Sequence, residues 1–261
     1  MKPRKSLGQN FLKNKKILNQ IVDTGDIKKK DIILEIGPGT GNLTEEIIKK
    51  EPKKVIVVEK DVHLSKFLND KFGDKIKIVN DDILKCYDKF ELDEPIKVFG
   101  NLPYNISTKI LTSFINYKNL NKFFSKFIFV FQKEVAERIV AEENSKNYGR
   151  LSILTSWRMS KLKVLDIPPI NFYPIPKVWS SLIVFTPKDK IEYFNKPKNL
   201  EHVTNIFFNQ RRKMIKKPMK ILFENYEDVS KKLSLNLNLR PQNLTTLTYY
   251  KICSIYEKSI K

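Results

Sequence analysis

The chain has 261 residues, and 41% of them are hydrophobic, which is enough for one large core or for a main domain with a smaller appendage. Lys and Arg number 49 against 29 Asp and Glu, so the formal net charge is +20. This excess favours nucleic acid as the partner over a membrane surface, because no strongly amphipathic basic helix is evident. Codon bias is an alternative source of part of the charge, since Lys, Asn and Ile are abundant together.

Cysteine and histidine are too few to build a disulfide framework or a zinc site. The cysteines are Cys86 and Cys253, and the histidines are His63 and His202. No apolar stretch approaches the length of a membrane span, and the basic N-terminus lacks the apolar core of a signal peptide. We therefore expect a cytoplasmic protein without a metal and without membrane association.

Strand and helix patterns alternate along the first half of the chain. Residues 1–30 are basic and polar, with apolar positions at helical spacing that include Phe11 and Leu12, so a helical segment is predicted there. Strands are then predicted at 31–36, 55–59, 75–79, 96–100 and 126–131, and helices at 43–50, 64–71, 108–115 and 133–142. Such alternation is typical of an α/β fold with a parallel sheet covered on both faces.

The pattern changes after Leu151. Two late strands, 162–167 and 181–185, flank a proline-rich loop, and such a pair often lies antiparallel at a sheet edge. Pro187 then breaks the chain, and the remaining sequence is basic and helical. The prediction is a first domain over 1–187 and a small helical RNA-binding domain over 188–261.

A glycine-rich turn follows the first predicted strand directly. Gly37, Gly39 and Gly41 let the backbone turn tightly and approach a ligand, and a helix N-terminus follows them. Glu59 ends the next strand at the interval expected of a ribose-binding acid. The alternative is a tight turn beside an exposed glutamate.

The spacing G-x-G-x-G differs from the dinucleotide fingerprint G-x-G-x-x-G and looks like that of S-adenosylmethionine-dependent methyltransferases. Asp82 then falls where a carboxylate accepts a hydrogen bond from the adenine amine of that cofactor, and the N–H of Ile83 meets a ring nitrogen. Without the context of this cofactor-binding motif, Asp82 is equally explained as a solvent-exposed residue in a turn.

The segment Asn101-Leu102-Pro103-Tyr104 ends the fourth predicted strand. The Asn101 amide oxygen and the Leu102 carbonyl can both accept hydrogen bonds from one exocyclic amine, and the Tyr104 ring can stack on the base that carries it. Pro103 holds the preceding residue extended. The alternative is a strand-terminating turn with a half-buried tyrosine.

Several motifs in order resemble the ribosomal RNA adenine dimethyltransferases of the bacterial KsgA type over nearly the whole length. They are Gly8-Gln9-Asn10-Phe11-Leu12, Glu35-Ile36-Gly37-Pro38-Gly39-Thr40-Gly41, Asn101-Leu102-Pro103-Tyr104-Asn105-Ile106-Ser107, Tyr148-Gly149-Arg150-Leu151-Ser152, Pro174-Ile175-Pro176-Lys177-Val178 and Gln210-Arg211-Arg212-Lys213. The resemblance implies a Rossmann-like, seven-stranded class I methyltransferase sheet with a small all-helical C-terminal domain. It also implies dimethylation of two adjacent adenosines in the 3′-terminal hairpin loop of small-subunit rRNA, by a monomer acting in small-subunit biogenesis on the pre-30S particle.

The resemblance assigns further residues. Asn10 and Leu12 would close over the cofactor, Asn101 would line it, and Phe172 would stack on the second face of the target base. The basic residues proposed to contact RNA phosphates are Arg211, Arg212 and Lys213, with Lys177 and Arg150 as weaker candidates. For the first three, an ordinary solvated charge run is the alternative.

The chain departs from the family pattern in a few places. Trp179 stands where Asp is usual after Pro-Lys-Val, Asn80-Asp81 replaces the usual residue and glycine, and Lys217 stands where Asn is common. The competing interpretations are an Erm-type large-subunit rRNA methyltransferase, a non-catalytic ribosome-assembly factor on the same fold, and an NAD-linked dehydrogenase. The glycine spacing disfavours the dehydrogenase.

Overall fold

The structure is a computed structural model that describes residues 4, 8–90 and 94–260. Residues 1–3 and 5–7 of the predicted N-terminal helical segment lie outside the described residues. The chain forms two compact units, the first of residues 1–136 and 160–187 and the second of residues 137–159 and 188–261. The sequence did not indicate that residues 137–159 group with the C-terminal helices.

The first unit alternates strands and helices, and helices dominate the second. The strands are β1 (Phe11–Leu12), β2 (Ile32–Ile36), β3 (Lys54–Val58), β4 (Lys77–Val79), β5 (Ile96–Asn101), β6 (Phe124–Gln132), β7 (Met159–Ile167), β8 (Phe172–Tyr173) and β9 (Ser180–Pro187). The helices are α1 (Lys15–Thr24), α2 (Asn42–Ile48), α3 (Val62–Phe72), α4 (Ile83–Cys86), α5 (Ser107–Ile115), α6 (Leu120–Phe123), α7 (Lys133–Val140), α8 (Arg150–Arg158), α9 (Pro197–Phe208), α10 (Lys216–Leu222), α11 (Tyr226–Lys232) and α12 (Thr246–Ser259).

Seven strands form one sheet in the order β4-β3-β2-β5-β6-β9-β7. Strands β2 to β6 pair in parallel where they are neighbours, and β9 runs antiparallel to β6. The late strands β7 and β9 are neighbours at one edge, as predicted. The predicted α/β fold class, with a seven-stranded sheet, is therefore confirmed.

The centre of the sheet is apolar on both faces because helices cover it. All residues of β2, sequence IILEI, are buried, which is the pattern of a central parallel strand. Rings of Phe114 in α5 and of Phe124, Phe127 and Phe129 in β6 pack with centroids 5.1–6.4 Å apart. This aromatic cluster packs α5 onto β6, and β6 pairs with β5, the strand that ends in Asn101.

The prediction of helix at Phe11 and Leu12 is wrong. These residues form β1, which pairs antiparallel with β8 through Phe11 with Tyr173 and Leu12 with Phe172. The helix begins only at Lys15, because the Asn14 side chain accepts hydrogen bonds from the N–H groups of the first turn and caps it. Local spacing could not reveal a partner strand so distant in sequence.

In the second unit, one buried carboxylate organises the N-terminus of α9. Glu257 of α12 accepts hydrogen bonds from the backbone N–H groups of Asn195 and Lys196, at 2.9 and 3.1 Å, and from the Asn199 amide at 2.8 Å. A carboxylate at a helix N-terminus satisfies donors that have no partner within the helix.

The close approach of α1 to β5 can be tested at Gly25, the residue that ends α1. A Cβ added there would lie 2.2 Å from Cζ of Phe99, a buried residue of β5. We expect Gly25→Ala to lower the free energy of unfolding by about 1–3 kcal/mol through overpacking, measured by denaturant unfolding. The control is Gly149→Ala, where the nearest atom to a Cβ is 3.8 Å away. Equal stability of Gly25→Ala and the unchanged protein would contradict this packing.

Candidate active site

A cavity of about 190 Å³ lies in the first unit where β2, β3, β4 and β5 end. In open α/β sheets this carboxyl edge is where ligands bind. The cavity is lined by most of the residues predicted for the cofactor and target base: Asn10, Leu12, Gly37, Gly39, Glu59, Asp82, Ile83, Asn101, Leu102 and Pro103. The fold thus brings together residues that are up to about ninety positions apart in sequence.

The glycine turn after β2 depends on left-handed backbone conformations. Gly37 and Gly39 have φ values of 64° and 58°, and a Cβ on Gly39 would lie 2.6 Å from the Phe11 ring. Gly41, also predicted for the cofactor, does not line the cavity. It precedes α2, where a Cβ would lie 2.5 Å from the Phe72 ring, so its observed contact is with α3.

Glu59 fastens the glycine turn to the end of β3. Its two carboxylate oxygens accept hydrogen bonds from the N–H groups of Gly39, at 3.2 Å, and Asp61, at 2.9 Å. Burial raises the pKa of Glu59, and these two hydrogen bonds oppose the rise. Each oxygen retains a second lone pair, so the carboxylate can still accept from a ligand hydroxyl.

Glu35 is a cavity-lining residue to which sequence analysis gave no role. It lies in β2, is fully buried, and accepts a hydrogen bond from the Thr44 hydroxyl at 2.6 Å. Burial raises the pKa of Glu35 to about 8, and the neighbouring charge of Glu59 adds to the rise. An acidic residue inside an otherwise apolar strand was the signal that could have identified it.

Asp82 both caps a helix and carries negative charge into the cavity. Its carboxylate accepts from the Leu84 N–H at 3.0 Å and pairs with Lys60 at 3.0 Å. Burial acts to raise the pKa of Asp82, but the Lys60 ammonium and the Leu84 N–H outweigh it, so the pKa is lowered. Asp82 therefore stays ionised near neutral pH and remains a hydrogen-bond acceptor.

Two amide side chains tie the β1 region to the cavity wall. The Asn101 amide donates to the Asn10 carbonyl at 2.6 Å, and the Asn42 amide donates to the Leu12 carbonyl at 2.8 Å. Because the amide nitrogen of Asn101 is engaged, its oxygen is the atom that can receive a hydrogen bond from a ligand.

Tyr104 lies inside a tight turn that begins at Pro103, after β5. The turn is closed by the Ile106 N–H, which donates to the Pro103 carbonyl at 3.1 Å. The Tyr104 hydroxyl shares a 2.6 Å hydrogen bond with the Ser180 hydroxyl, and burial raises the pKa of Tyr104. The ring is half-buried and is not part of the cavity lining.

Phe172 lies outside the cavity lining, as Gly41 and Tyr104 do. It is fully buried in the core beside Leu12. Its role in base binding stays a prediction.

The basic residues proposed to contact RNA have different surroundings. In the second unit, the Arg211 guanidinium donates to the Gln242 side chain at 3.1 Å and to the carbonyls of Ser145 and Lys146, so it holds protein loops together. Arg150 is exposed in the same unit, and Lys177 is exposed in the first.

Arg212 and Lys213 lie in a second concavity, within the second unit, which we call the basic groove. It is lined by Gln210, Arg212, Lys213, Met214, Lys216, Lys217, Lys220, Asn238 and Arg240. Six of these side chains are cationic and none is acidic. Such a surface matches a polyanion.

The part of the chain that the structure describes offers no further site of two common kinds. No helix there is both long and apolar enough to cross a membrane. Over the same residues, no group of three or more His, Cys, Asp and Glu side chains is arranged to hold a metal ion.

Comparison with known proteins gives matches over nearly the full length. The chain is 52% identical to ribosomal RNA small subunit methyltransferase A of Pelagibacter ubique (strain HTCC1062), over 98% of each chain. It is 40% identical to the protein of that name from Ehrlichia canis (strain Jake), over 97% of this chain and 96% of the other.

Solved structures share the fold. A dimethyladenosine transferase from Plasmodium falciparum matches with a TM-score of 0.80 and 27% identity, over 95% of this chain and 98% of the other. The 23S rRNA methyltransferase ErmE matches with a TM-score of 0.69 and 21% identity, over 95% and 99%, which shows a common fold alone. The family described as ribosomal RNA adenine dimethylase matches residues 1–258. The chain therefore belongs to the ribosomal RNA adenine dimethylase family, and it is a methyltransferase.

Proposed function

We propose that the protein transfers methyl groups to two adjacent adenosines in the 3′-terminal hairpin loop of small-subunit rRNA, each becoming N6,N6-dimethyladenosine. The relatives named small subunit methyltransferase A, at up to 52% identity over the full length, support the small subunit as the substrate. The protein acts as a monomer in the cytoplasm on the pre-30S particle.

The cavity suits S-adenosylmethionine as the methyl donor. This cofactor supplies an electrophilic methyl group on a positively charged sulfur when it is bound. Gly37 and Gly39 let the backbone approach a ligand without a side chain in the way. Glu59 offers acceptor positions for ribose hydroxyls, and Asp82 with the N–H of Ile83 offers an acceptor and a donor for an adenine edge.

The single observation that carries the proposal is the placement of Asn101. Its side chain lines the same cavity as Glu59 and Asp82, and its amide nitrogen is held by the Asn10 carbonyl. This leaves the amide oxygen to accept from the exocyclic amine of the target base, together with the carbonyl of Leu102. Two acceptors favour a pyramidal nitrogen whose lone pair is directed away from them.

Catalysis on this arrangement depends mainly on orientation. Tyr104, anchored by Ser180, stacks on the target base after the base leaves its helical stack. Holding two reactants close together in the correct orientation lowers the activation free energy by on the order of 7–11 kcal/mol. No general base is required, because the methylated ammonium product is acidic and loses its proton to water.

The basic groove provides the contact with the RNA backbone. Its six cations neutralise phosphates and release condensed counterions; they are Arg212, Lys213, Lys216, Lys217, Lys220 and Arg240. Because Arg211 is bound to protein carbonyls, we assign it to holding this surface in shape.

The amine-binding role of Asn101 is tested with small subunits from a strain that lacks the modification. We expect Asn101→Ala to lower the rate of methyl transfer by roughly 100-fold or more, since a positioned polar group is lost. The assay measures methyl incorporation and maps the modified bases. The control is Asn121→Ala, an exposed asparagine of α6.

An undiminished rate in Asn101→Ala would show that the acceptor role is wrong. Methylation mapped by the unchanged protein to large-subunit rRNA would instead contradict the proposed substrate.

The buried carboxyl of Glu35 predicts how stability depends on pH. Its pKa is about 8 in the folded protein against an ordinary value of 4.5, so between these values the folded state binds a proton that the unfolded state releases. The free energy of unfolding therefore falls as pH rises through this range, by up to about 1.4 kcal/mol per pH unit. Glu35→Gln removes this contribution.

The measurement is denaturant unfolding of both proteins at several pH values from about 5 to 8. We expect the free energy of unfolding of Glu35→Gln, relative to the unchanged protein, to increase steadily with pH. Parallel curves for the two proteins would show that Glu35 is already ionised in the folded state.

The basic groove predicts the salt dependence of RNA binding. Replacing Lys213, Lys216 and Lys217 together by Gln should weaken binding to small-subunit rRNA. It should also make the slope of log K against log salt shallower by roughly 0.7–0.9 for each phosphate that the variant no longer neutralises. Filter binding at several salt concentrations measures both quantities.

A matched control replaces Lys30, Lys66 and Lys75, exposed lysines of the first unit, by Gln. This variant changes the net charge equally. An equal change in slope for the two triple variants would show that net charge, and not the groove, determines binding.

A further inference from the structure

The segment between β8 and β9 carries an exposed aromatic residue. Trp179 keeps 47% of its surface exposed, whereas the other tryptophan, Trp157, is 4% exposed. Tyr173, at the end of β8, and Ile175 and Val178, in the segment itself, are also exposed, by 54%, 58% and 43%. Single exposed apolar residues are ordinary, so this exposure needs further support before it indicates a binding surface.

The backbone of Trp179 is anchored next to the residue that holds Tyr104. The Trp179 carbonyl accepts a hydrogen bond from the Lys133 N–H at 2.8 Å. Ser180 follows directly, and its hydroxyl is 2.6 Å from the Tyr104 hydroxyl. Trp179 therefore lies one residue along the chain from Ser180, the residue that supports the proposed stacking ring of Tyr104.

Positive charge accompanies the indole. The Lys133 ammonium lies 5.5 Å from the centre of the Trp179 ring, which is a cation–π distance. Lys133 and Lys163 both pair with Asp166, at 2.9 and 2.8 Å. Two ammonium groups therefore contact one carboxylate in this cluster, and one of them lies over the ring.

We propose that Trp179 is a stacking platform for an unpaired nucleotide next to the target adenosine, with its base on the indole and its phosphate facing the Lys133–Lys163 pair. The inference rests on the proposed function, since it assigns a second nucleotide to the same RNA. An aromatic face binds any base, and the ammonium groups meet the phosphate, so this site positions the strand without reading its sequence.

Kinetics with unmethylated small subunits test the platform. Trp179→Ala should raise KM for the subunit by roughly 5- to 100-fold, the range for loss of one base–aromatic stack. The kcat and the affinity for S-adenosylmethionine should remain within about twofold. Trp179→Phe should recover most of the loss. The control is Tyr193→Ala, which removes a 79% exposed ring from the second unit.

Fluorescence gives a readout that does not depend on catalysis. On titration with a short oligoadenylate, stacking should quench the emission of the unchanged protein. Trp179→Phe retains only Trp157, and its emission should remain nearly constant. Equal quenching in both proteins, or an unchanged KM in Trp179→Ala, overturns the platform. Failure of the unchanged protein to methylate small subunits would overturn the proposed function instead, while the fluorescence result would still decide the platform.

Discussion

The carboxylate of Glu59 is the constraint on which the proposed site depends. It binds the Gly39 N–H on one side and the Asp61 N–H on the other, and so locks the glycine turn after β2 to the end of β3. Burial raises the pKa of this carboxyl, and the backbone donors compensate for its lost hydration. The Glu59 carboxylate therefore fixes the Gly39 end of the turn, while the Gly37 N–H donates to the Val58 carbonyl at 2.9 Å and holds its beginning.

Parallel pairing of the strands brings the other predicted site residues to the same edge of the sheet as Glu59. Because β4, β3, β2 and β5 are neighbours, their carboxyl ends place Asp82, Glu59, the glycine turn and Asn101 along one edge of the sheet. The order suits an elongated ligand, with Asp82 at one end and Asn101, the proposed hydrogen-bond acceptor for the target amine, at the other.

The proposed sites for the methyl donor and for the RNA carry charges of opposite sign. Acidic groups line the cavity and suit a cationic methyl donor, while the basic groove suits phosphates. The segment Arg211-Arg212-Lys213 shows why the sequence alone cannot separate a structural role from an RNA-binding role. All three residues read alike as charges, yet the Arg211 guanidinium is bound by carbonyls of its own unit and the other two line the groove.

The amino-acid sequence alone determined the α/β class, the positions of the main strands along the chain, and the glycine turn with Glu59, Asp82 and Asn101 near strand ends, because local periodicity and strand-end residues carry these signals. Only the tertiary structure decided that Phe11 and Leu12 form a strand, since their partner Phe172–Tyr173 is about 160 residues away. It also decided that Phe172 is buried and that Glu35 is a protonatable group in the cavity wall. Burial and long-range pairing depend on what the rest of the chain brings to a residue, and no local pattern contains that.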